Sequence, residues 1–515
     1  MSRAMTDIAA LVARSRSPET RATFDDRVDQ QAQFLRERIE AGDLDAEDFA
    51  VGLELELYAT GPDGRLTQLP AAAFETAANK ELGLHNAEIN TDATALTAGG
   101  MNAQAAGVEM LLKQARAASD EADLVLDAMW TIPPAAGSWE YLGATTEVDG
   151  VTLARNMRPD PRYAALDNAA LDRAGGTIEF DVPGATCSFP SILFESLATS
   201  IQPHLQIPDS DAFPAYYNAA IRTMGPVLAL TTNSPLLPGD LYDEVADPET
   251  LLEDTHHELR IAAFEQSMNQ DCRKVRVPRD IEATTDVVDR VAADTTLAPY
   301  LREWLEDPSE GTFGESFWEF DYKRSTYWRW LRCVVGGDAV EGAGDGRTLR
   351  IEYRPIPTQP SVPDIAAAQA LTVGLIRGLV ATDHPITDLP WDAAEESFYN
   401  AVHDGIEADL HWVTADGERT GDTERIFEEV FRVAREGLHE SGLSEEAADD
   451  ALAPLTARWE RRVTPSTWKL DRVREELADG HSLSVAIERM QRTYIERQRD
   501  DEPFVSWVTP NDQRE

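Results

Sequence analysis

V-G-L-E-L-E-L-Y, residues Val51–Tyr58, is the stretch whose reading decides the fold. At a strand's period of two, Leu53, Leu55 and Leu57 face a core, and Glu54 and Glu56 share the opposite face. Two carboxylates roughly 7 Å apart on one rigid strand suit neighbouring divalent cations. The plainer alternative is an edge strand with a wetted acidic face. A second strand far downstream weighs against it. Leu349, Ile351 and Tyr353 alternate with Arg350, Glu352 and Arg354, so an acid stands between two guanidinium groups on one face. Acid excess alone does not produce that mixture. The two strands together point to a pocket for metal plus phosphate.

The chain has 515 residues, with 93 Asp and Glu against 46 Lys and Arg and a net charge of −47. Only five cations are lysines (Lys80, Lys113, Lys274, Lys323 and Lys469), which leaves 41 arginines. Acid excess with lysine depletion fits work in concentrated salt, where a Debye length of about 3 Å at 1 M screens self-repulsion. Disorder is excluded by 42% hydrophobic residues and 11 tryptophans. The charge argues against nucleic acid or an anionic membrane as partner. Cys187, Cys272 and Cys333 are scattered and odd in number, as a reducing cytosol allows. The N-terminus carries no apolar signal core, and no run of about 20 apolar residues is present to span a bilayer. A cytoplasmic protein is expected.

Residues 1–45 read as an N-terminal helical extension, 46–415 as a catalytic domain and 416–515 as a C-terminal helical region. Strands are expected at 50–58, 84–90, 124–130, 177–182 and 204–207. Helices are expected at 102–118, 191–201, 213–230, 256–269, 364–381 and 393–411, with two or three more over 422–500. Gly336–Gly346 reads as a hairpin loop. Alternating strands separated by long helical insertions predict an α+β fold with an antiparallel sheet covered by helices.

The polar faces of these strands collect Glu54, Glu56, Glu88, His204, Gln206, Arg350, Glu352 and Arg354. Carboxylates with an imidazole suit Mg²⁺ or Mn²⁺, and arginines beside them suit the charge of a transferring phosphoryl group. No glycine-rich nucleotide loop of a known type is present. Each residue also has a structural reading. His204 serves as a hydrogen-bonding histidine, Asn233-Ser234 as a turn initiator, and Arg329 and Arg332 as partners of surface acids.

Taken in order, these segments resemble the glutamate–cysteine ligase family 2, the carboxylate–amine ligases related to glutamine synthetase, in a haloarchaeal form. The resemblance spans roughly residues 50–412. It rests on G-L-E-L-E-L, Arg162-Tyr163, Pro203–Ile207 (P-H-L-Q-I), Ala229–Gly239 (A-L-T-T-N-S-P-L-L-P-G), Tyr327–Arg332 and Arg347–Asp364. It implies a curved antiparallel sheet of the glutamine synthetase/guanido kinase catalytic type. It implies Glu54, Glu56, Glu88, His204 and Glu352 as ligands to two or three Mg²⁺ (or Mn²⁺) ions, with ATP as co-substrate. Glu352, Arg332 and Arg354 would be catalytic, and Arg260, Asn233, Ser234, Arg350 and Gln206 would bind ATP or substrate. The implied reaction makes an amide from the γ-carboxylate of glutamate and an amine, cysteine first, through an acyl phosphate, as in glutathione biosynthesis. Gln206 departs from the family's second histidine, Met129–Pro133 (M-W-T-I-P) from its G-T-H-P type turn, and Tyr399–Ile406 carries His403 and Asp404 where a basic residue is usual. Three alternatives stay open: a different amine, a guanidino-type phosphotransferase, or a silent ATP- and metal-binding relative. Glutamate, the amine and ATP are the expected partners, and homo-oligomerisation is left open.

Overall fold

Burial follows the alternation along the first strand. β1 (Ala50–Thr60) buries Leu53, Leu55 and Leu57 and leaves Glu54 and Glu56 half-buried on the other face. The structure is a computed structural model that describes residues 3–119, 122–242, 247–304, 316–336 and 348–508. β1 sits inside an eight-stranded sheet with β2 (Asn79–Lys80), β3 (Asn86–Asn90), β4 (Thr94–Ala95), β5 (Asp123–Val125), β6 (Ile201–Ile207), β7 (Leu331–Val335) and β8 (Leu349–Tyr353). The order is β7-β8-β6-β1-β3-β2, with β4 and β5 also paired to β1, and every pairing is antiparallel. The sheet curls into a half-barrel, so the fold is α+β as the patterning predicts.

The helices include α1 (Arg3–Ser15), α2 (Pro18–Glu40), α3 (Ala98–Ala117), α4 (Pro161–Ala174), α5 (Phe213–Thr231), α6 (Leu259–Met268), α7 (Trp318–Ser325), α8 (Val362–Ala381), α9 (Trp391–Asp404), α10 (Thr423–Glu440), α11 (Glu445–Arg461), α12 (Pro465–Ala478) and α13 (Leu483–Gln498). α8 starts at Ser361, whose side chain caps the Asp364 amide. Among the described residues it is the one helix long and apolar enough to cross a membrane; 78% of that stretch is buried inside the protein, where it serves as a core helix. It crosses α10 at glycines. A Cβ on Gly437 would collide with the carbonyl of Gly374, and one on Gly378 with the carbonyl of Val433. Backbones that approach this closely require glycine.

Several elements differ from their sequence reading. The strand expected over 124–130 stops at Val125, because Gln498 of α13 takes over the backbone: its Oε1 accepts from the Leu126 amide at 2.9 Å and its Nε2 donates to the Leu126 carbonyl. The helix expected over 191–201 is a single 3₁₀ segment, Ile192–Leu197, and β6 begins at Ile201. Residues 422–500 form four helices rather than two or three. The loop expected over Gly336–Gly346 lies outside the described residues after Gly336, although Val335 pairs with Leu349 across it.

Buried ion pairs tie the last helices to α8 and to the segment that follows β5. Lys469 of α12 donates to Asp127 Oδ1 at 2.5 Å and to the Asn233 carbonyl at 2.7 Å, with both charged side chains at 1% exposure or less. Arg458 of α11 meets Asp364 at 2.8 Å, both fully buried. Lysines are thus spent inward. Lys274, Lys323 and Lys469 are buried, and only Lys80 and Lys113 are exposed. All three cysteines are free thiols.

Candidate active site

Strand register decides which side chains meet. Glu56 stands opposite Glu88, and Glu54 lies between Asn90 and Gln202. Gly52, His204, Glu352 and Arg332 form the next row across β1, β6, β8 and β7. Segments some 300 positions apart therefore bring their acids and guanidinium groups to one face of the sheet. The absence of a side chain at Gly52 lets Glu54 lean towards His204, whose Nε2 lies 3.2 Å from Glu54 Oε1.

Two groups of possible metal ligands result. In each, the ligand atoms lie within 4.8 Å of one another: Glu54, His204 and Glu352 in one, Glu56, Glu81 and Glu88 in the other. They differ in what neutralises them. Glu352 Oε1 accepts from Arg332 Nη2 at 2.7 Å and from Arg354 Nη1, and Oε2 accepts from Arg332 Nε. Burial opposes its charge, yet the two guanidinium groups hold its carboxyl well below the usual range. Glu54 is also buried, and His204 and Arg354 draw it below the ordinary value. Arg350 Nε donates to His204 Nδ1 at 3.0 Å. A guanidinium only donates, so Nδ1 is the acceptor and a neutral ring carries its proton on Nε2, facing Glu54. Nε2 lies near Glu54 but makes no hydrogen bond among the described residues, and its use as a metal ligand would require Arg350 to withdraw.

The second group has no such cation inside it. Burial raises Glu56, raises Glu81 to about 7, and raises Glu88 well above its ordinary value; for Glu81 and Glu88 the neighbouring acids add to the effect. Three crowded carboxylates that resist ionisation form an oxygen-only donor set, and a hard divalent cation such as Mg²⁺ or Mn²⁺ relieves their repulsion. Glu81 was not legible as a site residue. It precedes β3 in an irregular turn, outside any alternating pattern.

Both groups open onto cavities. One of about 360 Å³ is lined by Glu54, Glu56, Glu81, Glu88, Arg332 and Arg354 among others, with Arg162, Tyr163, Glu195 and Trp328 on its far side. Beside it, Arg162 Nη2 donates to Ser325 Oγ at 2.8 Å, while the buried Arg162 Nε and Glu195 Oε1 have no hydrogen-bond partner among the described residues. Burial pushes Glu195 up to about 8. Gln202, also unread from sequence, joins Glu56 at 3.1 Å to Arg354. A second cavity of about 450 Å³ is lined by Glu54, His204, Gln206, Arg350 and the backbone of 50–53. There Gln206 is held at both ends of its amide, by the Asp48 carbonyl at 2.9 Å and by Thr348 Oγ1 at 2.7 Å.

The structure does not bring Asn233, Ser234 or Arg260 to either cavity. Asn233 donates to the Thr358 carbonyl at 2.8 Å and to Tyr494 Oη at 3.0 Å, and Ser234 Oγ accepts from the Arg260 amide at 3.1 Å. Arg260 pairs with Glu258 at 3.1 Å and donates to the Arg354 and Pro355 carbonyls, all out of solvent. These residues brace the strand end that presents Arg354. Met129–Pro133 is likewise packed behind the site, with Thr131 Oγ1 donating to Gln491 at 2.7 Å.

Acids and arginines converging on one curled antiparallel face define a site for activating a carboxylate by phosphoryl transfer, the chemistry of an ATP-dependent carboxylate–amine ligase. The profile of glutamate–cysteine ligase family 2 matches residues 50–500, and the chain belongs to that family. Among solved structures it is similar to the glutamate–cysteine ligase of Francisella tularensis in complex with AMP, at 13% identity and a TM-score of 0.49, covering 90% of this chain and 91% of that one. A bifunctional glutathione synthetase from Pasteurella multocida matches at 12% identity and a TM-score of 0.47, over 91% of this chain and 55% of that one. The complex of the prokaryotic ubiquitin-like protein Pup with its ligase PafA matches at 11% and 0.42, over 90% and 79%. No curated protein matches.

Proposed function

We propose that this ligase joins the γ-carboxylate of glutamate to an amine, cysteine as first choice, through an acyl phosphate formed from ATP. The observation that carries the reading is the meeting of Glu54, Glu56, Glu81 and Glu88 with Arg332 and Arg354 around one cavity, the two arginines held from behind by buried Glu352. Carboxylate and triphosphate repel each other, so positive charge must hold them together. Glu56, Glu81 and Glu88 would hold Mg²⁺ or Mn²⁺, which supplies charge neutralisation at the phosphate oxygens.

The remaining roles fall to the chain's own residues. Arg332 and Arg354, fixed by Glu352, present N–H donors to the transferring phosphoryl group and the substrate carboxylate. Arg162, which lines the same cavity, suits the α-carboxylate of the amino acid. The attacking amine must lose a proton, and Glu195, which lines the same cavity, would receive it. Glu54 separates this cavity from the second one, whose Arg350 and backbone edge suit the nucleotide.

Purified protein in concentrated salt with Mg²⁺, ATP and glutamate should release ADP when cysteine is added. ADP release with another amine would keep the class and change the acceptor. ATP binding without ADP release for any amine would instead favour a silent relative.

A further inference from the structure

Away from the catalytic face, Arg276, Arg279, Arg290 and Arg329 line a cavity of about 310 Å³ together with Tyr327 and Asp294. With two acids for every cation in the chain, four arginines sharing one carboxylate runs against composition. That carboxylate is already committed: Asp294 pairs with Lys274 and, at 3.0 Å, with Arg329. Arg290 donates to the Arg279 and Asp280 carbonyls and makes no ion pair among the described residues. Arg279 stacks on Trp391 at 3.3 Å and lies 3.2 Å from the exposed Asp392. Arg276 has no hydrogen bond or ion pair from its side chain among the described residues. Burial and the adjacent Arg329 both act against its charge. Two guanidinium groups with no ion pair among the described residues, Arg276 and Arg290, beside the paired Arg279 and Arg329 around one hollow form a site for an anion with several oxygens.

The hollow is held in place by backbone. The Trp330 amide donates to the Arg276 carbonyl at 3.1 Å, and residues 276 and 329 form a parallel bridge. The chain then alternates: Tyr327 and Arg329 turn to this hollow, and Trp328 and Arg332 to the catalytic cavity.

We propose that the Arg276–Arg279–Arg290–Arg329 hollow is a second, metal-independent binding site for a phosphate-class oxyanion. Free phosphate, pyrophosphate or the phosphate tail of a nucleotide all present that chemistry. The test is titration calorimetry on the full chain in EDTA at constant ionic strength, with chloride as the balancing anion. Separate arms use inorganic phosphate, pyrophosphate and ADP. At least one arm should show saturable binding, weakened roughly tenfold or more by Arg276→Gln. Arg279→Gln, at a more exposed position, should weaken it in the same direction and serves if the first variant does not fold. ADP binding without phosphate or pyrophosphate binding would identify the nucleotide as the source. No binding in any arm, or equal affinity in wild type and both folded variants, overturns the proposal.

Discussion

Replacing Glu81 with Gln separates metal binding from stability. Its carboxylate lies within 4.8 Å of Glu56 and Glu88, where two full charges repel by about 3.5 kcal/mol at an effective dielectric of 20. A rise from 4.5 to about 7, caused first by burial and next by the Glu56 charge, corresponds to about 3 kcal/mol at 1.36 kcal/mol per unit. Because the folded value is raised, the protein without metal is most stable below the unfolded value and loses this contribution as pH rises through about 7. Glutamine cannot ionise, so Glu81→Gln should unfold like wild type near pH 5 and resist denaturant by up to about 3 kcal/mol more near pH 8.5. Removing an anionic ligand should weaken Mn²⁺ roughly a hundredfold, read by electron paramagnetic resonance of the free ion. Unchanged Mn²⁺ affinity together with lower stability at alkaline pH would refute the assignment of Glu81 to a metal group.

Glu352→Gln should lower turnover by about two to three orders of magnitude, since Arg332 and Arg354 lose the acid that fixes them. It should also cost about 3–5 kcal/mol as two buried cations lose their partner, and unaltered turnover in a folded variant would remove Glu352 from the mechanism. Lys469→Met should destabilise the protein by about 3–5 kcal/mol by stranding Asp127, and adding Asp127→Asn should recover much of that loss in a denaturant titration. If Glu195 accepts the amine proton, kcat should climb as pH rises through about 8, and a Glu195→Gln profile that keeps the same limb would exclude it.

The sheet was legible because alternation survives in the chain itself. β1 and β8 each show apolar and charged residues in strict turn, and the pairing of His204 with Glu352 follows once both strands join one sheet. What escaped reading depends on distant partners. The residues after Val125 look like strand, but Gln498, 372 positions from Leu126, satisfies their backbone instead. Glu81 belongs to no periodic run, so only the turn that folds it over β3 reveals its neighbours. Asn233, Ser234 and Arg260 are assigned from the resemblance of the N-S-P turn, and a motif match does not distinguish a lining residue from one buried beneath it. Their roles rest on Glu258, which is fully enclosed and takes both Arg260 and the Asn233 amide.

The inward placement of lysine has a practical outcome for handling the protein. Of five side-chain amines only those of Lys80 and Lys113 meet solvent, and Lys80 lines the cavity that holds Glu56, Glu81 and Glu88. Among side-chain amines, labels, crosslinkers and resins would therefore attach at two points, one on α3 and one on the wall of the acid-lined cavity. A bulky acyl group on Lys80 should crowd that cavity, whereas a tether at Lys113 should leave it open.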